Sequence, residues 1–352
     1  MRISWEDMTP RQRRRKKKAL MRQCLLALCC LTVAAGVGLC LWGLLGGEKA
    51  HGEQNPDQPA APVMAEPSTQ LLTQPTTQAP TVPTGPARDS GDAVQVGDAV
   101  GSQYALLINA DTNTVIAEKG SLEAIYPASM TKVLTLLVAA ENIGDPQAEF
   151  EITQALIDPH YDRGATITGY RAGDVCTLMD LFYGAALRSS ADATSGLAIA
   201  AGGTEEAFIQ MMNDKCRELG LSEQANFTNT SGLFDGTHTC TLRDMAAIMR
   251  AAMDNDLCAS VMSTAYFTTA PTAAEAEGIT FRNKYLDWFQ EKQPEGVTVL
   301  ACKNGYVQQA QNCLVSYGVN EAGDHLICVT AKGQDAETMM GDQRYLFSTY
   351  GK

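Results

Sequence analysis

Apolar residues are spread unevenly along the chain, and their spacing divides it into four parts. Residues 24–45, CLLALCCLTVAAGVGLCLWGLL, form 22 consecutive positions without a charge. At about 1.5 Å per residue, a helix of that length spans a bilayer core. The segment 1–23 before it contains RQRRRKKK, a basic flank that fixes the cytoplasmic side. A cleaved signal has a shorter apolar stretch and ends at a small-x-small site. This run is longer and ends in Trp42-Gly43-Leu44-Leu45. The expectation is therefore an uncleaved single-pass anchor with the rest of the chain outside the cytoplasm. Residues 46–99 are rich in Pro, Thr, Gln and Ala. They bury too little to offset chain entropy, which predicts a disordered tether. Residues 100–352 carry the periodic patterns of one large folded domain.

Within that domain, order is expected to begin near Gln103. YALLINADTNTVIAEKG reads as two apolar strands around the polar turn DTNT, a hairpin. LEAIYPASMTKVLTLLVAAENI follows, with helix-start residues Pro127 and Ser129 ahead of a long apolar run. Residues 173–253 read mainly as helix, in GDVCTLMDLFYGAAL, GTEEAFIQMMNDKCRELG and TLRDMAAIMRAAM. Strands return in VTVLACKNG, QNCLVSYGV and HLICVTAKG, and DAETMMGDQRYLFSTYGK closes the domain as a helix. This order predicts an α+β domain. Its mostly antiparallel sheet is assembled from both ends of the domain, flanked by helices, with a helical lobe inserted in the middle.

Charge sharpens the division. The net charge is −13, but residues 1–22 hold nine Lys or Arg against Glu6 and Asp7, leaving −20 for the remainder. An acidic body behind a basic tip argues against nucleic-acid binding. Four of the eleven cysteines lie in the apolar run. The other seven are Cys176, Cys216, Cys240, Cys258, Cys302, Cys313 and Cys328. Seven cannot all pair within the chain, so they read mostly as small buried hydrophobes, with a single disulfide left open. No Cys/His cluster has the spacing of a zinc site.

The segment YPASMTK carries the chemistry. Ser129 and Lys132 are three apart, so a helix sets them side by side on one face. A serine hydroxyl becomes a useful nucleophile when a neighbouring group takes its proton. A lysine can do this if burial and nearby cations depress its pKa. A bare S-x-x-K arises by chance about once in a chain of this length, so position carries the argument. Here it follows a hairpin and opens an apolar helix, where a solvated lysine would be out of place. Two further elements stand alone less well. LRSSADA (187–193) offers Ser189 as a proton carrier or simply a helix cap. ACKNGY (301–306) offers Lys303 on a strand, able to hold a carboxylate or merely solvated.

Together YPASMTK, LRSSADA and ACKNGY resemble the three motifs of the penicillin-recognising serine enzymes. The finer resemblance, over about residues 100–352, is to the low-molecular-weight D-Ala-D-Ala carboxypeptidases. It is carried also by FTNTSGLFDGTHTCTLRDMA and KNGYVQQAQNCLVSYGVNEAGDHLICV. The resemblance implies Ser129 as acyl-forming nucleophile, Lys132 as general base and Ser189 as second-motif serine. It implies that Lys303, with Asn304, Gly305 and Tyr306, binds the terminal carboxylate. The backbone N–H groups of Ser129 and Tyr306 would form the oxyanion hole, worth about 3 kcal/mol per donor. It implies peptidoglycan stem peptides as substrate, β-lactams as covalent inhibitors, and neither metal nor cofactor. Two positions depart from the pattern. The second motif's Asn is Ala191, followed by Asp192, and the third motif's Thr is Asn304. These departures motivate a rival, a catalytically impaired wall-binding or regulatory protein. A β-lactamase would need a deacylating carboxylate, and no ExxLN-like segment follows Ser189 at a suitable place. His238, in DGTHTCT, is read as loop packing.

Overall fold

The computed structural model describes residues 85–352. The basic segment, the expected anchor and most of the expected tether lie outside the described residues. Among the described residues no helix is long and apolar enough to cross a membrane.

The elements run in order as follows. Strands β1 (Arg88–Gln95), β2 (Tyr104–Asn109) and β3 (Thr114–Lys119) come first, then helix α1 (Thr131–Asn142). A short strand β4 (Glu149–Glu151) and helix α2 (Gln154–Asp162) precede β5 (Val175–Thr177). Helices α3 (Leu178–Leu187), α4 (Ala191–Gly202), α5 (Glu205–Glu218), α6 (Leu242–Met253) and α7 (Asp256–Met262) follow. The hairpin β6 (Tyr266–Thr268) and β7 (Thr280–Arg282) leads to α8 (Lys284–Glu291). Strands β8 (Val297–Val307), β9 (Gln311–Asn320) and β10 (His325–Gly333) and helix α9 (Ala336–Tyr350) complete the domain.

The main sheet has the order β1-β3-β2-β10-β9-β8. All its pairings are antiparallel except β1 with β3. Strands from the two ends of the domain thus meet at β2 and β10, with the helical lobe between them in sequence, as the element order predicts. Both faces of the sheet are covered. On β2, Leu106 and Ile108 pack into the core under the lobe, while Ala105 and Leu107 pack with Phe289 of α8 and Phe347 of α9. On β10, Ile327 and Val329 face the lobe and Leu326 and Cys328 face the other way. Burial on both faces is why these strands read as unbroken apolar runs rather than as alternation.

Order begins earlier than expected. β1 falls inside the stretch 46–99 assigned to the tether. Its sequence RDSGDAVQ is polar and largely exposed, so no apolar periodicity marks it. It is held by ladder bonds to β3, by Ser90 Oγ donating to the Val115 carbonyl, and by Arg243, which donates to Asp89 and Glu118 at 2.6 and 2.7 Å. Helix α4 falls within the stretch 173–253 read mainly as helix, but its bounds carry no signal of their own. Eight consecutive residues, Ala191 to Ala198, are buried, so it has no polar face from which a 3.6-residue period could be read. All seven cysteines of the domain are free and buried.

Candidate active site

Ser129 lies on a short 3-10 turn, Ala128–Met130, which passes directly into α1. The turn is entered through Ala128 in the left-handed region (φ 47°). Lys132, in the first turn of α1, folds back beside it: Nζ donates to Ser129 Oγ at 3.1 Å and to the Ser231 carbonyl at 2.6 Å. Only 2% of Lys132 is exposed. Burial, followed by the charge of Lys303, holds its pKa well below the ordinary lysine range, with Asp192 opposing. The amine is thereby favoured in its neutral form, with a lone pair to offer Ser129. Sequence spacing and tertiary burial agree at this pair.

The second and third motifs meet opposite. Ser189 sits between α3 and α4 with φ 63°. Its Oγ accepts from Lys303 Nζ at 2.9 Å, and Nζ also donates to the Asn304 carbonyl at 2.9 Å and to Asn304 Oδ1 at 3.4 Å. Lys303 is 2% exposed, and burial pushes its pKa down to about 7. Asn304 thus keeps a polar group beside Lys303 where the family pattern has a hydroxyl. Gly305 explains how β8 reaches Ser129. A Cβ there would lie 2.7 Å from the Pro127 carbonyl and 3.0 Å from the Ser129 nitrogen. The edge strand can press against the Ser129 turn only because position 305 has no side chain. Ser129, Lys132, Ser189, Ala191, Asn304 and Tyr306 all line one cleft of about 910 Å3. The Tyr306 side chain is exposed at its mouth.

Asp192, offered as a second-motif residue, has a different role. Its carboxylate accepts from Thr168 N at 2.9 and 3.1 Å, from Thr168 Oγ1 at 2.5 Å and from Ala193 N at 2.9 Å. It ties the segment at Thr168 to the start of α4, and burial raises its pKa. Ala191 presents only a methyl group to the cleft wall, so no side-chain amide stands at that motif position.

The loop before α6 supports the site through Asn229, Ser231 and Gly232, which are not among the sequence-based site candidates. Asn229 Oδ1 accepts from the N–H groups of Ser231 and Gly232, and Nδ2 donates to the Leu233 carbonyl. This turn aims the Ser231 carbonyl at Lys132. Gly232 (φ 77°) is essential to it, since a Cβ would fall 1.8 Å from the Ala128 carbonyl. His238 packs in the loop, as expected, but it also braces α1. Nδ1 accepts from Thr228 N at 3.0 Å, so Nε2 carries the proton and donates to Thr131 Oγ1 at 2.8 Å. Burial pushes its pKa down to about 4, which keeps the ring neutral. The signal available in the sequence was the compact TSG turn within FTNTSGLFDGTHT. No group of three or more His, Cys, Asp or Glu able to hold a metal ion occurs among the described residues.

Comparison with known proteins agrees with this geometry. Residues 91–334 match the peptidase S11 family, D-alanyl-D-alanine carboxypeptidase. DacF of Bacillus subtilis (strain 168), a D-alanyl-D-alanine carboxypeptidase, is 31% identical over 149 residues, covering 42% of this chain and 38% of DacF. DacC of Escherichia coli (strain K12) is 29% identical over 153 residues, with the same coverage. The chain thus spans well under half the length of these two relatives. The D-alanyl-D-alanine carboxypeptidase of Streptomyces sp. (strain K15) is 28% identical over 229 residues, covering 62% of this chain and 75% of that one. Among solved structures, the Streptomyces K15 DD-transpeptidase superposes with a TM-score of 0.65 at 23% identity. That match covers 72% of this chain and 98% of the other, a likeness of fold. With the match spanning most of the ordered domain, the chain belongs to the peptidase S11 family of D-alanyl-D-alanine carboxypeptidases.

Proposed function

We propose that this protein hydrolyses the terminal D-Ala-D-Ala bond of peptidoglycan stem peptides through an acyl-enzyme on Ser129. The observation that carries the reading is the buried Lys132 amine 3.1 Å from Ser129 Oγ, its pKa depressed. The stem peptide lies along β8, the edge strand, whose outer side is left unpaired among the described residues. Lys303 holds its terminal carboxylate. Neutral Lys132 takes the Ser129 proton as Oγ bonds to the scissile carbonyl carbon. The resulting oxyanion is held by the backbone N–H groups of Ser129 and Tyr306. When the carbonyl re-forms, the C–N bond breaks and the departing amine takes the proton from Lys132, relayed by Ser189. Free D-alanine leaves. Water then attacks the ester, giving its proton to Lys132. The ester C–O bond breaks, Ser129 regains its proton, and the shortened peptide departs. A β-lactam would acylate the same serine.

The same reading places residues 24–45 in the membrane as an uncleaved anchor, with 1–23 in the cytoplasm and the catalytic domain outside. The nine Lys and Arg residues in 1–22, ahead of the apolar run, support this topology. Protease shaving of intact cells tests it: the domain should be digested while the intact N-terminal segment stays with the membrane.

The test of the activity is release of D-alanine from a D-Ala-D-Ala-terminated tripeptide, with Ser129→Ala as control. Release abolished by the substitution supports hydrolysis. A folded protein that releases no D-alanine and takes no label from fluorescent penicillin is the impaired binding protein that Ala191 brings to mind. Rapid nitrocefin turnover would instead favour a β-lactamase.

A further inference from the structure

The walls of the cleft are positive in a body whose sequence is strongly acidic. Outside residues 1–22 the chain carries −20, yet the cleft is lined by Lys132, Arg163, Arg188, Arg282 and Lys284 and by no Asp or Glu. The reaction itself accounts for Lys132, and for Lys303 beside it. Arg282 is held by Asp287 and lies over the Tyr266 ring. Lys284 lies over the Tyr285 ring at 5.0 Å. Arg163 and Arg188 are different. Both are exposed, and among the described residues neither makes an ion pair within 4 Å. Asp235 is an exposed acid in the neighbourhood of Arg163, and its carboxylate is hydrogen-bonded to Thr237 N and Oγ1.

Their placement is built. Arg188 directly precedes Ser189, and its Nε donates to the Ile167 carbonyl at 2.8 Å, which fixes the guanidinium and leaves both terminal NH2 groups available. The segment after Arg163 is stitched to the segment after Arg188. Ala191 N donates to the Thr166 carbonyl, and Thr168 donates to Asp192. Two arginines on joined segments thus border Ser129 and Ser189 with no ion-pair partner within 4 Å among the described residues. A guanidinium with free parallel N–H groups is suited to a planar carboxylate.

We infer that Arg163 and Arg188 read a second carboxylate on the substrate, so that the cleft selects acidic stem peptides over those whose acidic residue is amidated. This rests on the proposed carboxypeptidase reading and names its substrate class. The terminal carboxylate goes to Lys303. The second belongs to a residue upstream of the two D-alanines, such as the free α-carboxyl of a γ-linked D-glutamate. Exposed pairs of this kind contribute on the order of a few-fold each, so the two together give about tenfold in affinity, diminishing with salt.

The test uses the full-length Ser129→Ala protein in detergent, which binds without turnover. The probes are acetyl-γ-D-glutamyl-Nε-acetyl-lysyl-D-alanyl-D-alanine as the free acid and as its glutamyl α-amide, titrated calorimetrically at low and high salt. The expected result is about tenfold tighter binding of the acid at low salt. The ratio should fall toward one at high salt and in the Arg163→Gln/Arg188→Gln variant. A loss of fold would lower both peptides together, so the ratio isolates recognition. Equal affinities, or a preference that survives the double substitution, overturn the inference and leave the carboxypeptidase reading standing. Binding of neither peptide overturns both.

Discussion

Replacing Gly305 by alanine and, separately, Gly318 by alanine makes the same chemical change on adjacent strands with different expected consequences. At Gly305 the new methyl group meets the Pro127 carbonyl at 2.7 Å, and Ala128 Cβ and the Ser129 nitrogen at 3.0 Å. At Gly318 it meets the Thr298 carbonyl at 2.9 Å and Val297 Cγ1 at 3.1 Å, on β8 but away from the nucleophile. Ordinary contact begins at 3.4 Å, so the Pro127–Ser129 backbone must retreat by about 0.4–0.7 Å. Overpacking of this kind costs about 1–3 kcal/mol at either site. Each kcal/mol lowers the melting temperature of a domain this large by about 2–4 °C. Catalysis is more sensitive where the clash falls on the serine. A displacement of about 1 Å can cost about 100-fold in rate, so half of that costs about tenfold. Thermal unfolding and the second-order rate of acylation by fluorescent penicillin are to be measured on both variants. Both should melt lower, and only Gly305→Ala should acylate about ten times more slowly. Wild-type acylation by Gly305→Ala, or an equal loss in Gly318→Ala, would refute the claim that this glycine sets the distance between β8 and Ser129.

Three further outcomes are expected. Burial pushes Lys303 down to about 7, so the cation is present below that pH and lost above it. The kcat/KM for a D-Ala-D-Ala peptide should therefore fall as pH rises through about 7, while the activity left in Lys303→Arg should stay level to pH 9. An alkaline limb that does not move in the variant counts against Lys303 as the carboxylate cation. Asp244 caps α6 through Thr241 and also accepts from Ser222 N and Oγ at 2.8 and 2.6 Å. Asp244→Ala strands these donors and should cost about 3 kcal/mol in urea unfolding. A loss below about 1 kcal/mol would contradict this network. Finally, Cys176, Cys216, Cys258 and Cys302 are buried with thiols pushed up to about 12. Alkylation followed by peptide mass spectrometry should leave them unlabelled in the native protein and label them in denaturant. Native labelling at rates typical of free thiols would contradict their burial.

The fold was legible where local pattern and tertiary burial coincide. The β2–β3 hairpin, the strands β8 to β10, the closing helix and most of the lobe are long apolar runs bounded by turns, and their order dictates a sheet built from both ends. Polar β1 was not legible, because an edge strand held by backbone bonds and by Arg243 carries no hydrophobic signature. Within the helical stretch 173–253 the bounds of α4 were not legible either, because burial on all sides erases helical periodicity. In the site, the three-residue spacing of Ser129 and Lys132 already sets them one turn apart, since helix geometry is local. The sequence also holds both lysines, Ser189, and the changes at Ala191 and Asn304. Only the tertiary structure could turn the Ser231 carbonyl toward Lys132, place His238 under Thr131, direct Asp192 to Thr168 and bring Lys303 against Ser189. Those contacts join residues up to 114 positions apart. Burial by distant chain segments is what moves the lysine pKa values, and no local pattern encodes it.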